Sequence, residues 1–485
     1  MQIFSVTICA LSEAKGMTVN MKKLKVSLIG AGSISFALGA LQDLVLSERL
    51  RNETELEIAM MDIVPEYLER TYKYATDMFT AFENPAKLWR TTNLREALDG
   101  ADFVIVAIEV ERYHYWSQDF HIPRYYGSSQ VYGENGGPGS MFHTLRNLGP
   151  MLEIAKTMEE VCPDAWFINY TNPETKLIEA ISKLTTIKAV GLCHGVIGGI
   201  YQISDILEID INDLGFEAGG LNHFGFFTKI WHNQTGEDLY PKFKEKEAKA
   251  HRLADYDHYG LPRAMYHLYG VYAYPGTNHC GEYVSWAEDF YAGMAMQYKY
   301  NPLREQLWQA GSRTPDFIYD ASLNQSLYKK AGSPDSWEDR VAHWTAEAYI
   351  FKKENVNTSG EDAIPIIEAI TFNIETPLKA VNLPNNGAIK GLPDDMAVET
   401  QAVVDGNGIR LIPMTVELPT AVIGAIHLQG MIHQLMIEAF VENSKNKLMQ
   451  AILLDPNAPT FYQAAAMIDD MCEKQKDLLP PLEWK

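Results

Sequence analysis

The chain has 485 residues, 41 Lys+Arg against 63 Asp+Glu, and a formal net charge of −22. A hydrophobic share of 46% supplies a large core and excludes general disorder. The acidic balance, with no basic block, argues against nucleic-acid and anionic-membrane partners, and 5 Cys without a CxxC pair point to a reducing, cytoplasmic compartment.

Residues 1–20 read as an N-terminal extension, expected to be disordered. They lack the basic start and small-residue cleavage site of a signal peptide, and Met17 and Met21 stand just before the first strand. No apolar run reaches the ~18 residues of a membrane-spanning helix. Short, mainly apolar runs follow: Leu24–Ile29, Glu55–Met61, Phe103–Ile108, Trp166–Tyr170 and Ala189–Leu192. Such runs suit strands buried on both faces. Asn93–Leu98 and Met151–Val161 between them read as helices. The alternation predicts an α/β fold with a Rossmann-type doubly wound parallel sheet over 21–205.

Beyond residue 205 the rhythm changes to a mainly helical α+β part, 206–485. Phe224–Trp231 reads as a strand. GSRTPD and KKENVNTSGED read as loops, 365–415 as strands with turns, and Ala421–Cys472 as helices. This second part is expected to carry the catalytic, substrate and oligomerisation functions.

The turn after the first strand reads Gly30-Ala31-Gly32-Ser33-Ile34-Ser35. Gly30 allows the tight turn, Gly32 and Ser33 allow close approach of a pyrophosphate, and the next helix N-terminus meets its charge. Asp62, ending the second strand, is placed to accept from a ribose diol and to repel a 2′-phosphate, which favours NAD over NADP. In this fold ligands bind outside the carboxyl ends of the strands. Glu109 and Glu111, Arg112, Asn172-Pro173, Cys193-His194-Gly195 and Asn222-His223 are all expected there, with Glu134 in a glycine-rich loop ahead of Arg146. Glu109 is expected on the cofactor. Cys193 and His223 are candidate ligands for one divalent ion. By spacing alone, a Cys at a strand end is more often a small buried hydrophobe, and Asn172 could be only a turn residue.

GAGS, MMDI, GPG with LRN, INYTNP, CHGV, GLNH and NNGAIKGLPDD occur in one order along nearly the whole chain. The set resembles glycoside hydrolase family 4, the NAD- and metal-dependent glycosidases. The resemblance implies a lactate/malate dehydrogenase-like fold, a homodimer or homotetramer, Cys193 and His223 as metal ligands, and Mn²⁺ as the ion. It also implies a redox-neutral reaction: oxidation at sugar C3, deprotonation at C2, elimination of the glycosidic oxygen, water addition and re-reduction. This family departs from two-carboxylate glycosidases.

The same resemblance places Asn172 and Asn222 on substrate hydroxyls, Glu134 and Arg146 on or behind the sugar, and His194 as substrate contact and acid. The C2 base stays open. Relatives carry an Asp near the segment reading Gly276-Thr277-Asn278-His279. Thr277 cannot replace it unaided, which leaves Tyr132, Tyr283 and His279. The CHG signature implies an unphosphorylated α-galactoside or α-glucoside. A uronide, with Arg112, Arg124 or His279 as its cation, and a hydroxy-acid dehydrogenase are the alternatives.

Overall fold

The computed structural model describes residues 21–33, 36–110, 112–249, 256–287, 290 and 348–485. The expected extension 1–20, Ser35, Glu111 and GSRTPD lie outside them, as does the Arg112 side chain.

The strands, in chain order, are β1 (Lys22–Ile29), β2 (Thr54–Met61), β3 (Lys87–Thr91), β4 (Phe103–Val106), β5 (Trp166–Asn169), β6 (Lys188–Gly191), β7 (Leu214–Leu221), β8 (Phe224–His232), β9 (Tyr272–Tyr274), β10 (Thr376–Pro384), β11 (Ala397–Asp405) and β12 (Gly408–Leu411). Among the described residues they form one sheet, ordered β3-β2-β1-β4-β5-β6-β10-β11-β7-β8-β9, with β12 on β11. The first six are parallel, and Val26 of β1 lies between Ile58 of β2 and Phe103 of β4. This is the doubly wound order, and its switch point falls between β1 and β4. The later strands are antiparallel and continue the sheet through Asn382 of β10 opposite Gly191 of β6. One sheet therefore runs through both expected parts.

Helices cover both faces of the parallel region. On one face Leu41, Leu44, Met78 and Phe79 pack with Ile364 and Ile367. On the other, Leu148, Met151 and Met158 pack with Leu177 and Ile181. Burial on both sides explains why these strands lack polar alternation.

Three expectations change. Ala363–Phe372 is a helix rather than a strand. Its sequence AIPIIEAITF is apolar nearly all round because it is sandwiched against the sheet, so periodicity cannot separate helix from strand. The helix expected at Met151–Val161 starts at Gly137, with Pro138 in its first turn, a position where the missing N–H costs nothing. Thr420–Glu442 is long and apolar enough, by composition, to cross a bilayer. Val422, Ile426, Ile432 and Met436 instead face the protein interior, with Gln429 and His433 buried beside them.

Candidate functional site

Gly30 has φ +83° and its N–H, with that of Ala31, bonds the Met61 carbonyl at 3.0 and 2.9 Å. A Cβ on Gly30 would sit 2.1 Å from the Ala107 carbonyl oxygen. The turn thus wedges between the ends of β2 and β4. The Gly32 N–H donates to Asp62 Oδ2 at 2.8 Å and the Val64 N–H to Oδ1 at 2.9 Å. Ser33 N–H closes the turn on the Gly30 carbonyl at 3.0 Å, and Ala37–Leu46 begins the helix beyond. The structure therefore brings Gly30, Gly32, Ser33 and Asp62 together. Tyr349 joins them from the second half of the chain. Its hydroxyl donates to the Gly32 carbonyl at 3.3 Å, and Arg70 lies over the Tyr349 ring at 4.5 Å and the Tyr67 ring at 5.1 Å.

Glu109 is half-buried, with Oε2 3.1 Å from His143 Nε2. His143 Nδ1 lies 2.9 Å from the Glu134 carbonyl. Glu109 is in this way linked to the glycine-rich loop. There, side-chain ligand atoms of Glu134, His223 and His279 all lie within 4.8 Å of one another. The His223 and His279 ring centroids are 4.0 Å apart, and Tyr132 stands edge-on to His279 at 5.5 Å. His223 occupies the two-residue turn between β7 and β8 with φ +65°, a left-handed conformation uncommon for any residue but glycine.

The loop is held from below. Glu282 accepts from the Glu134 and Asn135 N–H groups, and Lys176 donates to the Asn135 carbonyl. The Asn135 amide lies 3.0 Å from His223 Nδ1. Burial, reinforced by the Glu134 charge, pushes the Glu282 carboxyl up to about 8. Below the ordinary carboxyl range both native and unfolded chains hold this proton. Above it only the native chain does, so the stability it contributes falls as pH rises through about 8. Glu282→Gln keeps an acceptor for both N–H groups and removes the titration. Its urea-unfolding free energy is expected to decline less between pH 5 and 8 than that of the wild type.

Cys193 is partly exposed in a small pocket lined by Val196, Gly360, Glu361, Asp362 and Lys379. Burial, then the Glu399 charge, raises its thiol well above the ordinary range. A thiolate there needs a cation beside it. Cys193 is not one of the three clustered groups around His223. It is adjacent in sequence to His194, whose exposed ring lies 3.2 Å from Glu361; that hydrogen bond raises the His194 pKa. Asn222 is buried. Its Nδ2 donates to Glu399 at 2.9 Å, and its Oδ1 has no partner among the described residues. Asn172 is half-buried and its carbonyl accepts from Asn147 at 2.9 Å.

Arg146 is buried and presents no surface to a cleft. It is 1% exposed and paired with Asp119 at 2.7 Å and Gln475 at 2.9 Å. These partners engage both terminal nitrogens of a guanidinium that the sequence reading put on or behind the sugar, while Nε has no partner among the described residues. Arg146→Met would strand a buried carboxylate, and a loss of about 3–5 kcal/mol in unfolding free energy is expected, partly restored by adding Asp119→Leu. Arg124 likewise donates to the Gln130 carbonyl.

The sequence reading missed Asn135, Lys176, Glu282, Tyr349 and Glu399. Glu399 carried a signal: a carboxylate among the apolar residues of the strand AVETQAVVD, buried and pushed up to about 7 by desolvation. Tyr283 and Thr277, weighed for the base, are occupied. The Tyr283 hydroxyl donates to the Asn222 carbonyl at 3.0 Å, and Thr277 Oγ1 accepts from Leu261 at 3.2 Å.

Residues 25–209 match the family 4 glycosyl hydrolase model, and 218–458 match the family 4 glycosyl hydrolase C-terminal domain. An alpha-glucosidase of Erwinia rhapontici is 30% identical over 478 residues, 94% of this chain and 98% of that protein. An alpha-galactosidase of Bacillus subtilis is 29% identical, covering 94% and 99%. The maltose-6′-phosphate glucosidase MalH of Clostridium acetobutylicum is 30% identical, covering 81% and 85%. A 6-phospho-alpha-glucosidase from gut microorganisms, solved with NAD and Mn²⁺, shares the fold with a TM-score of 0.72 at 23% identity, over 95% of this chain and 100% of that one.

Proposed function

Since the chain belongs to the family 4 glycosyl hydrolases, we propose that it is an NAD- and Mn²⁺-dependent α-glycosidase acting on an unphosphorylated hexose, an α-galactoside or α-glucoside. The observation carrying the choice of a neutral sugar is the pair Glu361 and Asp362 beside Cys193 and His194. Lys379 and His194 only offset these two carboxylates, so among the described residues the pocket has no surplus cation to hold a phosphate or uronate. Alpha-glucosidase and alpha-galactosidase relatives support the choice; relatives acting on 6′-phosphates and galacturonides make it a question for experiment.

The residues fit both implied groups. Gly30 and Gly32 form a cradle that a Cβ would fill. His223 with its neighbours, and Cys193, offer nitrogen, oxygen and sulfur donors suited to a borderline divalent ion. When bound, NAD takes up and returns a hydride at sugar C3 while the ion polarises the adjacent oxygens. Asp62 and the glycine turn hold the dinucleotide, with Glu109 at the mouth of the cleft. Asn172 and Asn222 orient the sugar hydroxyls, and the unpartnered Asn222 Oδ1 accepts from one of them. His194, whose pKa the hydrogen bond to Glu361 raises, donates its proton to the departing glycosidic oxygen. Tyr132, which stands edge-on to His279 at 5.5 Å beside His223, takes the C2 proton.

The free Cys162, Cys193, Cys280 and Cys472 support a reducing, cytoplasmic setting. Exposed Val441, Phe461, Tyr462 and Trp484 on the C-terminal segments support a homo-oligomer. Nucleic acid and membrane are not among the partners we infer.

A panel of nitrophenyl α- and β-glycosides, including uronides and 6-phosphates, tests the reading. Cleavage of a neutral α-glycoside should stop when NAD is stripped and resume with a catalytic amount. No NADH should accumulate, and solvent deuterium should enter product C2. Full-rate cleavage without NAD would falsify the mechanism, and stoichiometric NADH from a hydroxy acid would favour a dehydrogenase.

A further inference from the structure

We propose that Glu399 is a positioning residue of the divalent site, a buried counter-charge that orients Asn222 and favours a cation at Cys193 and His223 without touching ion or substrate. The proposal rests on the NAD- and metal-dependent reading above and deepens it. Three observations carry it.

The first is register. Gly191 of β6, Asn382 of β10, Glu399 of β11 and Gly220 of β7 are paired neighbours in one row across the sheet. Residues paired in this way carry their side chains to one face. Gly191 stands two residues before Cys193 and Gly220 two before Asn222. The row therefore crosses the sheet just behind the two strand ends that carry Cys193 and His223. Its glycines leave room for polar side chains: a Cβ on Gly191 would fall 2.1 Å from Glu174 Oε1.

The second is charge. Glu399 is fully buried, and the amides of Asn222 and Asn382 both donate to its Oε2, at 2.9 and 3.1 Å. Among the described residues no lysine or arginine pairs with it. The positive group that bears on it is the exposed His194 ring, already engaged by Glu361. A second buried acid, Glu174, adds its own charge. Glutamine would satisfy both amides without the cost of an uncompensated buried charge. A carboxylate at this place suits a site that a cation completes.

The third is orientation. An ionised carboxylate only accepts, so the Asn222 amide turns Nδ2 to Glu399 and Oδ1 away from it. That Oδ1 is buried and has no hydrogen-bond partner among the described residues, and the side chain stands beside the Cys193 thiol. The Asn222 backbone is held from both sides, its N–H by Thr175 and its carbonyl by Tyr283. Rotation of the amide is the freedom that Glu399 removes.

The test uses the full-length chain with Co²⁺ as the probe. Glu399→Gln keeps an acceptor for both amides and removes the charge. Its Co²⁺ dissociation constant, followed by thiolate-to-cobalt absorption, should rise about 10- to 100-fold, while its melting temperature in chelator stays level or rises. An unaltered NAD-induced rise in melting temperature verifies the fold. Unaltered Co²⁺ affinity in Glu399→Gln overturns the proposal and leaves Glu399 a structural acceptor. Glu399→Asp keeps the charge and should bind Co²⁺ more tightly than Glu399→Gln; equal or weaker binding overturns the proposal too. Wild type that binds no Co²⁺ removes the metal-dependent reading and this proposal with it. Wild type that binds Co²⁺ in the expected order but shows no NAD-dependent cleavage removes the glycosidase reading alone.

Discussion

His223→Gly is expected to lower kcat/KM for NAD-dependent glycoside cleavage by about a thousandfold or more while leaving the metal-free fold as stable as the wild type. Loss of an ion that polarises the reacting oxygens removes several kcal/mol of transition-state stabilisation, and ~4 kcal/mol is roughly a thousandfold in rate. Stability goes the other way. A left-handed residue other than glycine costs roughly 1–2 kcal/mol, which His223 bears at φ +65°. The glycine variant sheds that cost and loses one hydrogen bond with Asn135, worth about 1 kcal/mol. Paired measurements of kcat/KM and of thermal melting in chelator check this. A melting temperature that collapses would mean that the ring holds the β7–β8 hairpin together, and undiminished turnover would remove His223 from the site.

Gly30→Ala is expected to abolish the NAD-induced rise in melting temperature and to cost about 3 kcal/mol or more of folding stability. Two causes combine: φ is +83°, and the new methyl would meet the Ala107 carbonyl oxygen at 2.1 Å. Because that neighbour is backbone immediately after β4, the end of that strand must move. Gly100→Ala separates the causes. Its φ is +67°, yet nothing lies within 4 Å of the added carbon, so about 1 kcal/mol and normal NAD binding are expected. Equal effects in the two variants would show that the Gly30 contact is unimportant.

The parallel half was legible because its strands are buried on both faces and follow one another in short βαβ steps. Leu24–Ile29 and Phe103–Ile108 fall on β1 and β4, whose boundaries shift by two residues at one end. The glycine turn and Asp62 were legible for the same reason, since their spacing is local. Ala363–Phe372 was not, because a run of apolar residues looks the same in a sandwiched helix and in a strand. The gathering of Glu134, His223 and His279 was only half legible. Glu134 and His223 stood in motifs, but the meeting with His279 depends on β9 pairing with β8 and on Glu282 reaching back to the loop. Arg146 shows the converse: a cation near a motif looks functional until its buried carboxylate partner, distant in sequence, is seen. Tyr349 could not be foreseen on the glycine turn, since the chain returns to it across 317 residues.

That return has a consequence for timing. An ordinary dehydrogenase must let its oxidised and reduced cofactor exchange on every cycle, and a cover over the dinucleotide would slow it. A glycosidase that gives back the same hydride it removed has no such need. With the Tyr349 hydroxyl on the Gly32 carbonyl and Ser359 bonded through its backbone N–H to Asp43 at 2.7 Å, departure of a dinucleotide seated on the glycine turn as proposed would wait on parting these contacts. The coenzyme would then behave kinetically as a resident part of the catalyst, with a dwell time spanning many turnovers.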